Sequence, residues 1–312
     1  MGSDKAIDFV RSDFKSSLHA CLYLTPDWLS RVRDDYKEEV CYEARGWPIK
    51  LIERQGRLAV WNVAKELNVH GNGVAALACR LMERYLSAQL RHNVAAPADS
   101  LEFERFQRGL SARIPVLIAS CVQIAAKSIS AAMSLTATQV CNYLIRKGTK
   151  HSIKDIVTWE YHVFQTIGYR VPLWTSAEMA ELLATAARLA PAAPRALALI
   201  VNLAELKRDE VDRRVRWAAD LEPSNSSSSS SEESPRRSLS VRTLHLAAGA
   251  VAACARCLTP PPRAPDLERR LAALTGVPQA FVECVRDCIL TVTIFDDDDS
   301  MSTPSVKRRR LE

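Results

Sequence analysis

The chain has 312 residues, of which 47% are hydrophobic and 25% charged, and its net charge is +6. This is the composition of a globular protein with room for two domains of ordinary size. The longest apolar run, Ile114 to Ala126, is too short to span a bilayer, and the first residues lack the basic and apolar regions of a secretory signal. We therefore expect neither a membrane span nor a secretory signal.

Nine cysteines in a chain without a secretory signal indicate a reducing compartment. One spacing is typical of a metal site, Cys254-x-x-Cys257 together with Cys284-x-x-x-Cys288. These cysteines fall inside predicted helices, without the turn residues that shape a zinc knuckle. We expect no metal and no cofactor.

The first half of the chain predicts an N-terminal arm, 1–50, and a block of helices, 51–171. The arm has two short helical segments, the second of which begins at Thr25-Pro26-Asp27, where proline favours a helix start. A long polar connection is predicted at 89–112, with room for a short helix around Leu101–Gln107. Ile114 to Lys127 is apolar nearly all round, which indicates a helix buried on every side. The predicted helices of the block are 51–67, 73–88, 114–127, 136–146 and a last one that follows the capping pattern Ser152 to Asp155 and stops at Gly168.

The second half predicts another helical block, 172–295. Its predicted helices are 175–190, 194–220, 240–258, 265–273 and 277–294. The serine-rich stretch 222–239 cannot bury a core and is expected to be a disordered loop, and 296–312 a disordered tail. The sequence thus predicts an all-α fold made of two consecutive bundles of about five helices each.

The last helix of the first block carries a glutamate among apolar residues. Its apolar positions fall on one face of a helix, with Glu160 in the middle: Ile153, Ile156, Val157, Val163, Phe164 and Ile167. A carboxylate on a packed face costs several kcal/mol unless it is paired or hydrogen-bonded. Glu160 must therefore have a partner inside the fold or await a partner protein.

Several local patterns, taken in order, resemble the cyclin family. Leu81–Ser87 resembles the end of the family's second helix, Ile118–Lys127 its central helix, and Trp159–Tyr169 its fifth helix. In the second block, Leu244–Ala250 and Leu274–Gly276 are similar to later cyclin-box helices. The resemblance covers about residues 50–295 and implies two cyclin boxes.

The resemblance implies a regulatory protein with no catalytic residues that binds a cyclin-dependent kinase. Lys127 and Glu160 match the two charged residues with which cyclins hold the kinase main chain beside its C-helix. Glu83 matches an acid that pairs with an arginine of the first helix, and spacing places that arginine at Arg54. The alternative for Lys127 and Glu160 is an internal salt bridge that only closes the bundle.

The chain also departs from typical cyclins. The groove that binds Arg-x-Leu peptides requires apolar residues, but spacing places Glu53, Gly56, Arg57 and Val60 there, so we expect that site to be lost. This first helix and the long connection at 89–112 are most similar to a divergent branch of the family implicated in meiotic crossover designation and maturation. Recombination factors are therefore possible partners.

Two competing functions stay open. The first is a scaffold that recruits recombination factors without activating a kinase. The second is a transcription-type cyclin that binds nucleic acid through the basic residues between Lys207 and Arg216. Acids are interleaved with those residues, so we expect no direct nucleic-acid binding, and no membrane partner.

The segments outside the two blocks carry short motifs. The run Lys307, Arg308, Arg309 and Arg310 has the composition of a nuclear localisation signal, with a solvated basic end as the alternative. Ser234, in Ser-Pro-Arg-Arg, and Thr303, in Thr-Pro, are candidate sites for proline-directed phosphorylation. We expect a nuclear protein.

Overall fold

The computed structural model describes residues 25–44, 51–71, 73–93, 101–129, 135–172, 174–189, 194–221, 240–258 and 264–294. Across these residues the chain forms twelve α-helices and no strand, which confirms the predicted all-α fold. The helices are α1 (Thr25–Ala44), α2 (Arg54–Glu66), α3 (Val74–Asn93), α4 (Leu101–Ile129), α5 (Ala137–Arg146), α6 (Ile153–Thr166), α7 (Ser176–Ala186), α8 (Pro194–Leu206), α9 (Arg208–Leu221), α10 (Thr243–Leu258), α11 (Ala264–Thr275) and α12 (Gln279–Ile294).

The first block packs around α4. Residues 116–126 of this helix are buried, as predicted for an apolar helix surrounded by others, and they contact α2, α3, α5 and α6. The two helices that follow begin with capping boxes, at Thr136 and at Ser152, because each hydroxyl accepts from the backbone N–H three residues later. Gly168 has φ +65° directly after α6, which confirms its predicted role at the helix end.

The second block packs around α10, in which Thr243 to Ala255 are all buried. Gly249 lets this helix approach α12 closely, since a Cβ at that position would collide with the side chain of Val285. The apolar cores of the two blocks are separate clusters. α1 belongs to the second core, because Leu29 and Val32 are buried in it.

The predicted connection at 89–112 is too long, and the short helix allowed around Leu101–Gln107 is the start of a much longer one. α3 continues to Asn93, and α4 begins at Leu101 and passes through Pro115 without a break. Leu110 and Ile114 pack against the first core. These contacts stabilise the first part of α4, whose outer side is polar. Tertiary packing of a few apolar residues outweighed the polar pattern that indicated a loop.

Because α4 begins before the apolar run, it has the length and composition of a helix that could cross a membrane. Of the described helices, it is the one long and apolar enough to cross a membrane by length and composition, over Glu104–Ile129. The apolar run considered in the sequence began only at Ile114. In the structure 61% of the most apolar window is buried inside the fold, as in the core helix of a bundle.

Two further predictions of element boundaries need correction. The predicted helix 194–220 is divided at Lys207 into α8 and α9, where a buried ion pair between Glu205 and Arg208 spans the junction. The second arm segment is a helix of 20 residues. The first arm segment, the serine-rich loop, the tail, Ser234, Thr303 and residues 307–310 all lie outside the described residues.

A buried charge cluster lies where the two blocks and α1 meet. Arg57 of the first block approaches Glu205 of the second, with Nη1 and Oε2 3.9 Å apart. Glu39 of α1 lies 3.6 Å from an Arg80 nitrogen, 4.0 Å from an Arg208 nitrogen, and accepts from the Thr243 hydroxyl at 2.6 Å. Since these groups are almost fully buried, each charge needs an opposite charge or a hydrogen bond nearby. These pairs join the two blocks and the arm helix.

Candidate docking site

The orientation of α6 differs from the one that its apolar pattern predicts. Ile156, Val163 and Ile167 are buried against the first core, whereas Ile153 and Val157 are 49% and 52% exposed. The apolar arc of this helix is therefore wider than the core can cover. One half of the arc packs inward, and the other half faces solvent with Glu160 at the border.

Lys127 and Glu160 lie at that border and contact each other. Lys127 closes the buried stretch of α4, and its Nζ donates to Glu160 Oε1 at 2.6 Å. The side chains keep 38% and 15% of their surface exposed, respectively. The structure therefore supplies an internal partner for Glu160, and the same pair is open to solvent on one side.

An exposed apolar edge continues from this ion pair along α6. Ile153, Val157 and Tyr161 follow one another at intervals of four residues and are all exposed. Tyr161 accepts a hydrogen bond from the hydroxyl of Tyr169, which is also exposed, at 3.2 Å. Four of the large hydrophobic side chains that the described part of the chain exposes thus lie on α6 or directly after it.

The opposite side of α6 is closed by polar and aromatic contacts. His162 Nε2 lies 3.2 Å from the hydroxyl of the buried Tyr85, and its ring meets the edge of Trp159. Arg113 lies over the Trp159 ring, 6.0 Å from its centroid. Burial, and then the charge of Arg113, lower the pKa of His162. This histidine is therefore a packed group with a hydrogen-bonding partner.

The predicted structural pair of Arg54 and Glu83 is wrong. Arg54 is the first residue of α2 and is exposed. One helical turn later, Arg57 is 1% exposed, and its Nη2 donates to Glu83 Oε1 at 2.6 Å. Glu83 belongs to the buried face of α3, so only a residue on the inner face of α2 can reach it.

This correction moves the predicted peptide groove by three residues. If Arg57 takes the role given to Arg54, the groove positions become Gly56, Ala59, Val60 and Val63. Val60 and Val63 are buried in the first core, and a glycine and an alanine occupy the other two positions. The conclusion that the groove lacks large exposed apolar side chains stays a prediction, now based on different residues.

The described part of the chain offers no cluster of metal-binding side chains. No group of three or more His, Cys, Asp or Glu side chains there is placed to hold a metal ion. Cys254 and Cys288 are buried and Cys257 is exposed, so these cysteines differ in access to solvent. The ion pair and apolar edge of α6 are the features that fit a binding function.

Sequence reasoning singled out Lys127 and Glu160, which the structure shows in contact, and their role in kinase binding stays a prediction. It missed their surroundings. The exposed positions Ile153 and Val157 were assigned to the packed face, because periodicity shows which residues share a face and not how far the core extends. Tyr161 lies about 40° around the helix from Val157 and about 80° from Ile153, and the same helical count could have found it.

Comparisons with protein-family models and with curated proteins found no match to this chain.

Proposed function

We propose that this chain is a cyclin-like regulatory subunit that binds a cyclin-dependent kinase through α6 and the end of α4. The observation that carries the proposal is the Lys127–Glu160 ion pair at the border of an exposed apolar edge. A charged pair beside apolar side chains is the composition of a protein interface, in which apolar contacts give affinity and polar groups fix the register. The resemblance of both residues to the kinase-binding residues of cyclins points to the same face.

In this proposal the protein carries out no chemistry itself. α6 packs against the C-helix of the kinase and holds it in the position in which the kinase's lysine and glutamate form their ion pair. A helix that presents apolar side chains over two turns suits packing against another helix. The ion pair, open to solvent on one side, offers polar groups to the partner's main chain at the border of the apolar edge.

The cellular role proposed is in meiotic recombination, inside the nucleus. The residues that match the cyclin boxes, together with a first helix that lacks the usual peptide groove, are most similar to cyclin N-terminal domain-containing protein 1. That group is implicated in designating and maturing meiotic crossovers. The basic run at 307–310 supports nuclear localisation.

Charge reversal tests the docking pair. Lys127→Glu or Glu160→Lys places two like charges side by side, and the double reversal restores an ion pair in the opposite sense. For a pair this exposed the stability change is on the order of 1 kcal/mol or less. We expect each single variant to lose kinase association, and the double variant not to regain it, because the kinase groups are unchanged.

The control is a reversal of Lys37 and Asp34, an ion pair of 2.8 Å on α1. It should leave kinase association intact. If kinase association is unaffected by all three Lys127 and Glu160 variants, while the double reversal recovers the stability that the single ones lose, the pair is structural and the docking proposal is wrong.

The kinase-independent scaffold is the second candidate. It is favoured by the groove positions, since buried or small residues there leave no recognised surface for substrate peptides. A kinase assay on the purified complex separates the two functions: a regulatory subunit raises phosphorylation of a substrate, and a scaffold does not. The transcription-type alternative gains no support, because Arg213 and Arg214 both pair with Glu210, and Arg216 with Asp212.

A further inference from the structure

The end of α5, the turn that joins it to α6 and the start of α6 carry exposed cations, the last of them directly after Ile153 of the apolar edge. Arg146, Lys147, Lys150 and Lys154 are all exposed. Lys147 pairs with Glu66 at 2.8 Å, and the other three form no ion pair with any residue that the structure describes. The one acid between residues 146 and 159 is Asp155, whose carboxylate accepts from the Ser152 backbone N–H.

We propose that Arg146, Lys150 and Lys154, here called the basic cluster, select the kinase partner by its charge. The cluster fits a partner helix whose apolar side chains meet the edge of α6 and whose acidic residues lie over the start of α6. This inference rests on the proposed function, and it adds a specificity-determining surface beside the docking pair.

The arrangement along α6 supports this partner chemistry. Ile153, Val157 and Tyr161 form a ridge of residues four apart, which spans about 12 Å at 1.5 Å per residue. Such ridges fit into the groove of a second helix. The basic cluster lies at the N-terminal end of the ridge and Glu160 near its other end, so the polar contacts flank an apolar centre.

The charge at the start of α6 is positive on balance. The unpaired backbone N–H groups of a helix N-terminus carry a partial positive charge, which adds to the charges of Lys150 and Lys154. Asp155 offsets part of that charge through the capping box, but no second acid lies between residues 146 and 159. An acidic partner segment is therefore attracted and a basic one repelled.

Two other occupants are less compatible with the cluster. A second copy of this chain, docked through the same face about a twofold axis, would bring like charges together. The chain's own acid run, Asp296–Asp299, has the right charge, but Met301, Val306 and Leu311 are the only large apolar residues that follow it, and the basic run 307–310 lies between the last two. A kinase helix with both features matches the whole surface.

The test measures binding of the full-length protein to a panel of purified cyclin-dependent kinases at 50 and 300 mM salt. The variant is the triple reversal Arg146→Glu, Lys150→Glu and Lys154→Glu. For the kinase that binds wild type, we expect the triple reversal to weaken binding by about tenfold or more at low salt, and by less at high salt, because exposed charges are screened.

A matched control reverses Arg31, Arg105 and Arg195, which are exposed and form no ion pair within the described residues. This control has the same net charge change and should bind like wild type. Reversing acidic residues on the kinase C-helix should restore binding to the triple reversal and weaken binding to wild type.

The outcomes separate the two proposals. If no kinase of the panel binds wild type, the proposed function is wrong and this inference with it. If a kinase binds through Lys127 and Glu160, but the triple reversal changes neither affinity nor its salt dependence, only the inference is wrong.

Tighter kinase binding after removal of residues 295–312, in wild type but not in the triple reversal, would assign the cluster to the chain's own acid run. A dimer that the triple reversal dissociates would assign it to a second copy.

Discussion

Replacing Arg57 should unfold the junction between the two blocks. Arg57→Met keeps an unbranched side chain at a buried position but removes the guanidinium that donates to Glu83 at 2.6 Å. Glu205 keeps a nitrogen of Arg208 at 3.4 Å, whereas Glu83 loses its hydrogen-bonded partner. A buried carboxylate without its partner costs about 3–5 kcal/mol.

Protonation of Glu83 can reduce that cost. Burial, opposed by the charge of Arg57, already raises the pKa of Glu83. In the variant Glu83 should take up a proton more readily still, so the folded variant binds more protons than its unfolded chain. Its deficit relative to wild type should therefore be largest above the raised pKa of Glu83 and should shrink as the pH falls through that pKa.

The measurement is urea unfolding followed by circular dichroism at pH 7.5 and pH 5.5. We expect Arg57→Met to lose about 3–5 kcal/mol at the higher pH, and the double variant Arg57→Met with Glu83→Met to recover much of that loss, because no charge is left unpaired. Arg54→Met, on the exposed face, should change stability by about 0.5 kcal/mol or less. A loss at Arg54 as large as that at Arg57, or a double variant no better than the single one, would refute the pairing.

Further predictions concern pH, peptide binding, localisation and modification. Burial, and then the charge of Arg242, lowers the pKa of His245 to about 4, so the unfolded chain binds more protons than the folded protein as the pH falls below 6.5. Unfolding measured toward pH 4 should therefore show a loss of about 3 kcal/mol in the free energy of unfolding, and a smaller loss in His245→Gln. An Arg-x-Leu peptide should show no binding in calorimetry; micromolar affinity that Trp61→Ala abolishes would contradict this. Alanine at 307–310 should move a tagged protein toward the cytoplasm in microscopy; unchanged nuclear retention would count against the signal. Phosphopeptide mapping of meiotic cells should find phosphate at Ser234; repeated recovery of the unmodified peptide alone would count against it.

The candidate site shows how far a sequence can go. Lys127 and Glu160 were found because a charge among apolar residues at helical spacing is unusual, and their contact at 2.6 Å follows from the packing of α4 on α6. Arg57 was missed because a helical count from Glu83 alone leaves several positions of the facing helix possible. Choosing between Arg54 and Arg57 requires knowing which face of α2 is buried, and the register of two helices depends on their side-chain packing.

The sequence by itself determined the all-α class, the buried central helix of the first block and the capped start at Ser152, since these depend on local periodicity and on hydrogen bonds within four residues. Only the tertiary structure decided which half of α6's apolar arc is covered, because the extent of a core is fixed by neighbouring helices distant in sequence. It also decided that Glu39, Arg80 and Arg208 meet in one buried cluster. Their partners lie between 41 and 169 positions away along the chain, and no local pattern carries that information.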